Sequence, residues 1–206
     1  MRLLHRRLAR VSTIAALLCL SVCIVAPAAV VHAVAPPGAS AYTAVSPYRI
    51  LDTREGLGFP QRVTAGQSFT LGLAGVPAGA SAVVLNLTID AAGDAGFVTV
   101  YPTGVIRPLA SSINVDAVGQ TIANLVTVPI GAGNAVDIFS QITTHLVADV
   151  QGYYLPMAVA QTGLFKPVNP IRLLDTREPN ATRFGALGGG DQVDLNVAGI
   201  AGLPAD

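Results

Sequence analysis

The chain has 206 residues, with 12 Lys and Arg against 12 Asp and Glu, 51 % hydrophobic residues, 21 Gly, 14 Pro, 2 Cys and no Trp. Charged residues reach only 12 %, about half the usual share of roughly 25 %. This excludes a charged disordered chain, a collagen, a coiled coil and a disulfide-dense mini-protein.

Residues 1–35 read as a secretory signal peptide. Arg2, Arg6, Arg7 and Arg10 come first without an acid, and Val11 to Ala26 is mostly apolar. Small residues follow, Ala26-Pro27-Ala28-Ala29 and Ala33-Val34-Ala35. A basic start, an apolar centre and a small-x-small end let the segment insert and then fit the narrow site of a signal peptidase. Cleavage is expected between Ala28 and Ala35, after Ala33 or Ala35. The competing reading is an uncleaved anchor, since the apolar run approaches the ~20 residues of a spanning helix. Otherwise the membrane enters only through this segment, during export. Cys19 and Cys23 both lie inside it, so the processed chain has no disulfide. It keeps 8 of the basic residues and all 12 acids, a net charge of −4, which gives no electrostatic footprint for nucleic acid.

Residues 36–44 read as a linker, rich in Pro, Gly and small residues. Residues 45–155 then alternate in strand fashion. The expected strands are Tyr48 to Asp52, Phe69 to Leu73, Val83 to Ile89, Phe97 to Tyr101, Ile122 to Val128, Val136 to Phe139 and His145 to Val150. In Val83 to Ile89 apolar residues recur with a period of two, the mark of a half-buried strand. Gly- and Pro-rich breaks supply turns, among them Gly75-Val76-Pro77-Ala78-Gly79, Asp90-Ala91-Ala92-Gly93-Asp94 and Gly131-Ala132-Gly133-Asn134, the last expected as a hairpin. Many short strands with no 3.6-residue stripe predict an antiparallel β-sandwich, jelly-roll or immunoglobulin-like.

The chain repeats itself. Ser46-Pro47-Tyr48-Arg49-Ile50-Leu51-Asp52-Thr53-Arg54-Glu55 returns as Asn169-Pro170-Ile171-Arg172-Leu173-Leu174-Asp175-Thr176-Arg177-Glu178, identical at seven of ten positions. Leu71-Gly72-Leu73-Ala74-Gly75-Val76 returns in order as Leu195-Asn196-Val197-Ala198-Gly199-Ile200. A period of about 123 residues is domain-sized. After a second linker at 156–168, residues 169–206 are expected to be an incomplete second copy, and the chain a fragment of a longer protein.

Arg49, Asp52 and Arg54, with Arg172, Asp175 and Arg177, form the most distinctive constellation. One reading is a patch for anions or sugars, with Arg forks meeting carboxylate or phosphate. The simpler one is a structural staple, an Asp–Arg pair plus Asx-type bonds that pin the first strand to its loop. On a regular strand Asp52 and Arg54 share one face and Arg49 takes the other. Tyr101, Tyr153 and Tyr154 are the candidate sugar platforms, and Tyr153-Tyr154 should place one ring inward and the other outward. Asn86, Asn114 and Asn124 read as edge or bulge residues before sugar contacts. Asn86-Leu87-Thr88 and Asn180-Ala181-Thr182 match the N-glycosylation pattern.

No residue is nominated as catalytic. His145 is the only histidine after the signal, so no clustered metal site is expected. There is no Gly-x-Ser-x-Gly elbow and no cysteine nucleophile. Neither a cofactor nor a metal is implied.

Five blocks stand together in order: Tyr48 to Arg54, Ala82 to Thr88, Val98 to Pro102, Gly119 to Asn124 and Val147 to Tyr154. They resemble the tandem LDTR-type repeat module of secreted actinobacterial proteins. That resemblance implies extracellular all-β modules in tandem, sometimes beside secreted enzymes; it carries no activity and no catalytic residue. The expected role is that of a secreted or cell-surface, non-enzymatic interaction or display module. Its partner would be a cell-wall or extracellular glycan, or a surface protein. The alternative is a carbohydrate-binding accessory module of a secreted hydrolase whose catalytic domain is absent from this chain.

Overall fold

The computed structural model describes residues 34–35, 37–159, 163–179, 183–200, 203 and 205. The signal segment up to residue 33 and the Asn180 glycosylation pattern lie outside them. Eight strands form: β1 Ser40–Asp52, β2 Ser68–Gly72, β3 Ala82–Asp90, β4 Gly96–Pro102, β5 Ile113–Val115, β6 Ile122–Pro129, β7 Ala135–Ser140 and β8 His145–Pro156. They make two four-stranded antiparallel sheets, ordered β1-β8-β3-β6 and β2-β7-β4-β5. The described chain is all-β, consistent with a β-sandwich. No helix among the described residues is long and apolar enough to cross a membrane.

The alternating residues build the core. Val83, Leu85, Leu87 and Ile89 of β3 are fully buried, and they join Val98 and Val100 of β4 and Val136 and Ile138 of β7 in one apolar cluster. Burying such a side chain is worth about 1.5–3 kcal/mol, so the period-two pattern of β3 dictates which face turns inward. β3 is also flanked by strands on both sides. That explains why Val84 on its other face is buried as well.

Four expectations are corrected by the strands. β1 begins at Ser40, inside the stretch read as a linker, and pairs with β8 along its length. β8 continues to Pro156, and β5 is a short strand that the pattern did not show. The turn at Gly131 is tight, with Gly131 N–H donating to the Ala135 carbonyl at 2.9 Å. It is not a hairpin between paired strands, because β6 lies in one sheet and β7 in the other. The chain changes sheet at every connection except β4–β5. As a result β1 and β8, far apart in sequence, lie side by side.

Candidate functional site

The β1–β8 pair positions the Arg-Asp-Arg motif. Register slips between Arg49 and Leu51: Arg49 faces Asp149, whereas Leu51 faces Ala148. Ile50 is the extra residue, a β-bulge. The bulge lets consecutive Ile50 and Leu51 both be buried, and it turns Arg49 onto the side of Asp52. The regular-strand expectation, with Arg49 on the far face, is corrected by that single inserted residue.

Asp52 is 2 % exposed and its carboxylate is saturated. Oδ1 accepts from Arg54 Nε at 2.8 Å and from the Arg54 backbone N–H at 3.1 Å. Oδ2 accepts from Arg49 Nη1 at 2.9 Å and Arg54 Nη2 at 2.8 Å. The Arg54 side-chain bonds hold the Asp52 carboxyl far below the usual carboxylate range; burial opposes them and loses. The same contacts raise Arg54 further.

Each arginine then spans to a second acid. Arg49 donates Nε to Asp149 Oδ1 at 2.9 Å and Nη2 to Oδ2 at 3.3 Å. This is a bidentate fork across the two strands. Arg54 donates Nη1 to Asp90 Oδ2 at 3.2 Å, at the end of β3. Asp90 Oδ1 accepts from Thr121 Oγ1 at 2.7 Å, and this bond, ahead of Arg54, lowers the Asp90 carboxyl. Thr53 completes the motif: its Oγ1 accepts from Leu146 N–H at 3.0 Å and lies 3.0 Å from His145 Nδ1. Leu51 fills the core, Asp52 anchors the arginines, Thr53 ties off the start of β8, and Arg54 reaches β3.

A tight loop closes the motif. Asp52 N–H and Leu57 N–H each donate to the other's carbonyl at 3.0 Å. Gly58 follows at φ 72°, where a Cβ would lie 2.5 Å from the Ile50 carbonyl oxygen. Glycine is therefore required there on two counts.

The second occurrence keeps the local half of this geometry. Arg172 Nη1 donates to Asp175 Oδ2 at 2.7 Å, and Arg177 donates from its backbone N–H at 3.1 Å and from Nε at 2.8 Å to Oδ1. Arg177 holds the Asp175 carboxyl well below its ordinary range. Residues 169–177 form no strand, and among the described residues nothing stands where Asp149 and Asp90 stand for the first copy. The Arg-Asp-Arg geometry is thus local, an Asx-type turn with one forked and one single-bonded arginine on the aspartate, while the reach to other strands is tertiary.

The tyrosines are dispersed. Tyr101 lies on β4 and is 6 % exposed, so its ring offers solvent no platform. Tyr153 packs against the core. Tyr154 lies against Tyr42 at 5.3 Å and against Phe165 at 4.3 Å between ring centres. Tyr42, 48 % exposed, was missed because it sits in the stretch read as a linker. Its alternation with Ala41 and Thr43 was the available signal. Asp149 was also missed, although a lone charge between Ala148 and Val150 is conspicuous in an apolar strand. Asn124 Nδ2 donates to the Ser112 carbonyl at 2.7 Å, Asn86 lies within the central strand β3, and Asn114 is exposed on β5. No group of three or more metal-binding side chains occurs among the described residues. No family model, no curated protein and no solved structure matches this chain.

Proposed function

We propose that this chain is an exported, non-enzymatic interaction module of the cell surface or extracellular space. On this reading residues 169–206 begin a second module of the same kind. The observation that carries it is the chemistry of the Arg49–Asp52–Arg54–Asp90–Asp149 cluster. Its central carboxylate is held ionised and takes four hydrogen bonds from arginine. A general acid or base needs a pKa near the working pH and a free lone pair, and Asp52 has neither. The cluster's geometry instead locks the first strand to the last and to β3, which suits a stackable unit. The signal-like start supports export.

The second reading, sugar binding, is favoured by one feature. The exposed Tyr42 ring lies beside Tyr154 and donates its hydroxyl to the Gln151 carbonyl at 3.0 Å, close to the polar Asp149–Arg49 pair. Expression of the full chain in a bacterial host tests both. The module reading expects a processed product outside the cell, starting between residues 29 and 36, that binds isolated cell surfaces and turns over no glycoside, ester or peptide substrate. Hydrolytic turnover, or retention of the whole product in the cytoplasm, overturns it. Saturable glycan binding lost in Tyr42→Ala shifts the conclusion to the sugar reading.

A further inference from the structure

A cavity of about 370 Å³ lies at the end of the sandwich where β8 begins, within the usual range of small-ligand sites. Three loops of the first module line it: Ala65, Gly93 to Ala95, and Gln141 to Thr143. Two glycines let these loops meet. Neither Gly93 nor Gly96 takes a left-handed backbone, so conformation alone does not call for glycine there. A Cβ on Gly93 would lie 2.7 Å from the Thr143 carbonyl oxygen, and one on Gly96 would lie 2.8 Å from Gln141 Oε1. Any larger residue at either position would push the walls apart.

The walls are tied in advance by the backbone. Gly93 N–H donates to the Thr143 carbonyl at 2.8 Å, Gln141 N–H to the Phe97 carbonyl at 2.9 Å and Gly66 N–H to the Ser140 carbonyl at 2.8 Å. Ala65 N–H donates to Thr143 Oγ1 at 3.1 Å. Such a preformed site loses little freedom on binding. The polar side chains, by contrast, are left available. Asp94 Oδ1 accepts only from the Ala95 N–H at 2.8 Å, and Oδ2 accepts from no group among the described residues. Among the same residues the Gln141 carboxamide makes no hydrogen bond, and the Thr143 hydroxyl accepts without donating. No basic side chain lines the cavity.

These groups select their ligand by what each can exchange. A carboxylate only accepts, a hydroxyl with its oxygen engaged donates, and a carboxamide does both. An anion finds no cation here. A divalent ion wants about six to eight oxygens, and the lining has one carboxylate in a space far larger than an ion. A ligand must bring donors and acceptors side by side, as the neighbouring hydroxyls of a sugar do. We propose that this cavity binds one ring of a neutral sugar through adjacent hydroxyls. One hydroxyl donates to Asp94 Oδ2, its neighbour exchanges bonds with Gln141 and Thr143, and the ring rests on the Ala65 and Ala95 methyls. The site is separate from Tyr42, which faces Tyr154 near the other end of β8, and it rests on neither reading above.

Ligand-observed NMR titration of the whole chain tests it with the methyl α-glycosides of glucose, mannose and galactose, and with cyclohexanol as the control ring. The expected result is saturable binding of at least one glycoside with a dissociation constant of about 1 mM, the strength ordinary for a ligand of this size. Cyclohexanol should not saturate. Asp94→Asn should weaken the glycoside about fivefold, since charge-assisted bonds are worth about twice neutral ones. Gln141→Ala should weaken it by a similar factor. Both side chains are exposed, so melting should match the parent in each variant. Tyr42→Ala should leave the affinity unchanged. No saturable binding of any glycoside, equal binding of cyclohexanol, or an affinity unchanged in both cavity variants overturns the proposal. So does binding that a chelator abolishes, or that Tyr42→Ala alone removes.

Discussion

Arg49 and Asp149, a hundred residues apart, face each other across β1 and β8 and share two hydrogen bonds of 2.9 and 3.3 Å. Both are partly solvated. The pair therefore orients the strands more than it stabilises them. A double-mutant cycle with Arg49→Gln and Asp149→Asn should return a coupling of about 0.5–1 kcal/mol. Chemical denaturation of the four variants measures it, and strict additivity would contradict a direct pair.

Asp52 is the more costly member. Asp52→Ala leaves two arginines without their shared acceptor and opens the β1 terminus, and it should destabilise by about 2–3 kcal/mol. Asp175→Ala removes the same local contacts from a segment outside the sheets, beside an Arg177 whose side chain is 78 % exposed. It should leave the main unfolding transition where it is, because solvent screens the pair. Denaturant melts of the two variants compare them directly.

Acid should expose the same asymmetry. Asp52 titrates below its ordinary range in the folded chain, so the unfolded state binds its proton first as pH falls. Its contribution is full above about pH 4, the unfolded value, and is lost progressively on the way down through the lower folded value. Asp90 acts in the same direction. Melting temperature should therefore fall below about pH 4 in the parent chain, and less steeply in Asp52→Asn. A parallel decline in both would remove Asp52 from the explanation.

Tyr48 hides an unsatisfied hydroxyl. Its Oη is buried without a hydrogen-bond partner, and burial, then Tyr153, raises its pKa. The corresponding position of the repeat is Ile171. Tyr48→Phe removes the stranded polar atom while keeping the ring, and should stabilise by about 1 kcal/mol. A melting temperature below that of the parent would show a partner for the hydroxyl.

Gly152 lies beneath the Tyr42 ring, in contact so close that an added Cβ would collide with it. Gly152→Ala should cost about 1–3 kcal/mol through overpacking. Tyr42→Ala placed on that background should recover most of the loss, because the clash is gone. Simple addition of the two single effects would refute the contact.

The strand content was legible because its cause is local. Apolar residues two apart, as in Val83 to Ile89, can bury one face only if the chain is extended. The Arg-Asp-Arg turn was legible for the same reason, since Asp52 and Asp175 make like bonds with and without a surrounding sheet. Tyr42 and Asp149 escaped notice because their meaning lies in what stands across from them. An exposed ring needs Gly152 beneath it, and a lone acid needs Arg49 opposite.

By itself, then, the order of residues determined an all-β class, a core face on the strand from Val83 to Ile89 and a recurring arginine–aspartate turn. These follow from steric alternation and bonds spanning a few residues. The tertiary structure alone decided that the chain crosses between sheets at nearly every turn, that β1 joins β8, and that a bulge at Ile50 brings Arg49 to Asp52. Those outcomes depend on contacts between residues distant in sequence, where many pairings bury similar area and packing of the whole core selects one.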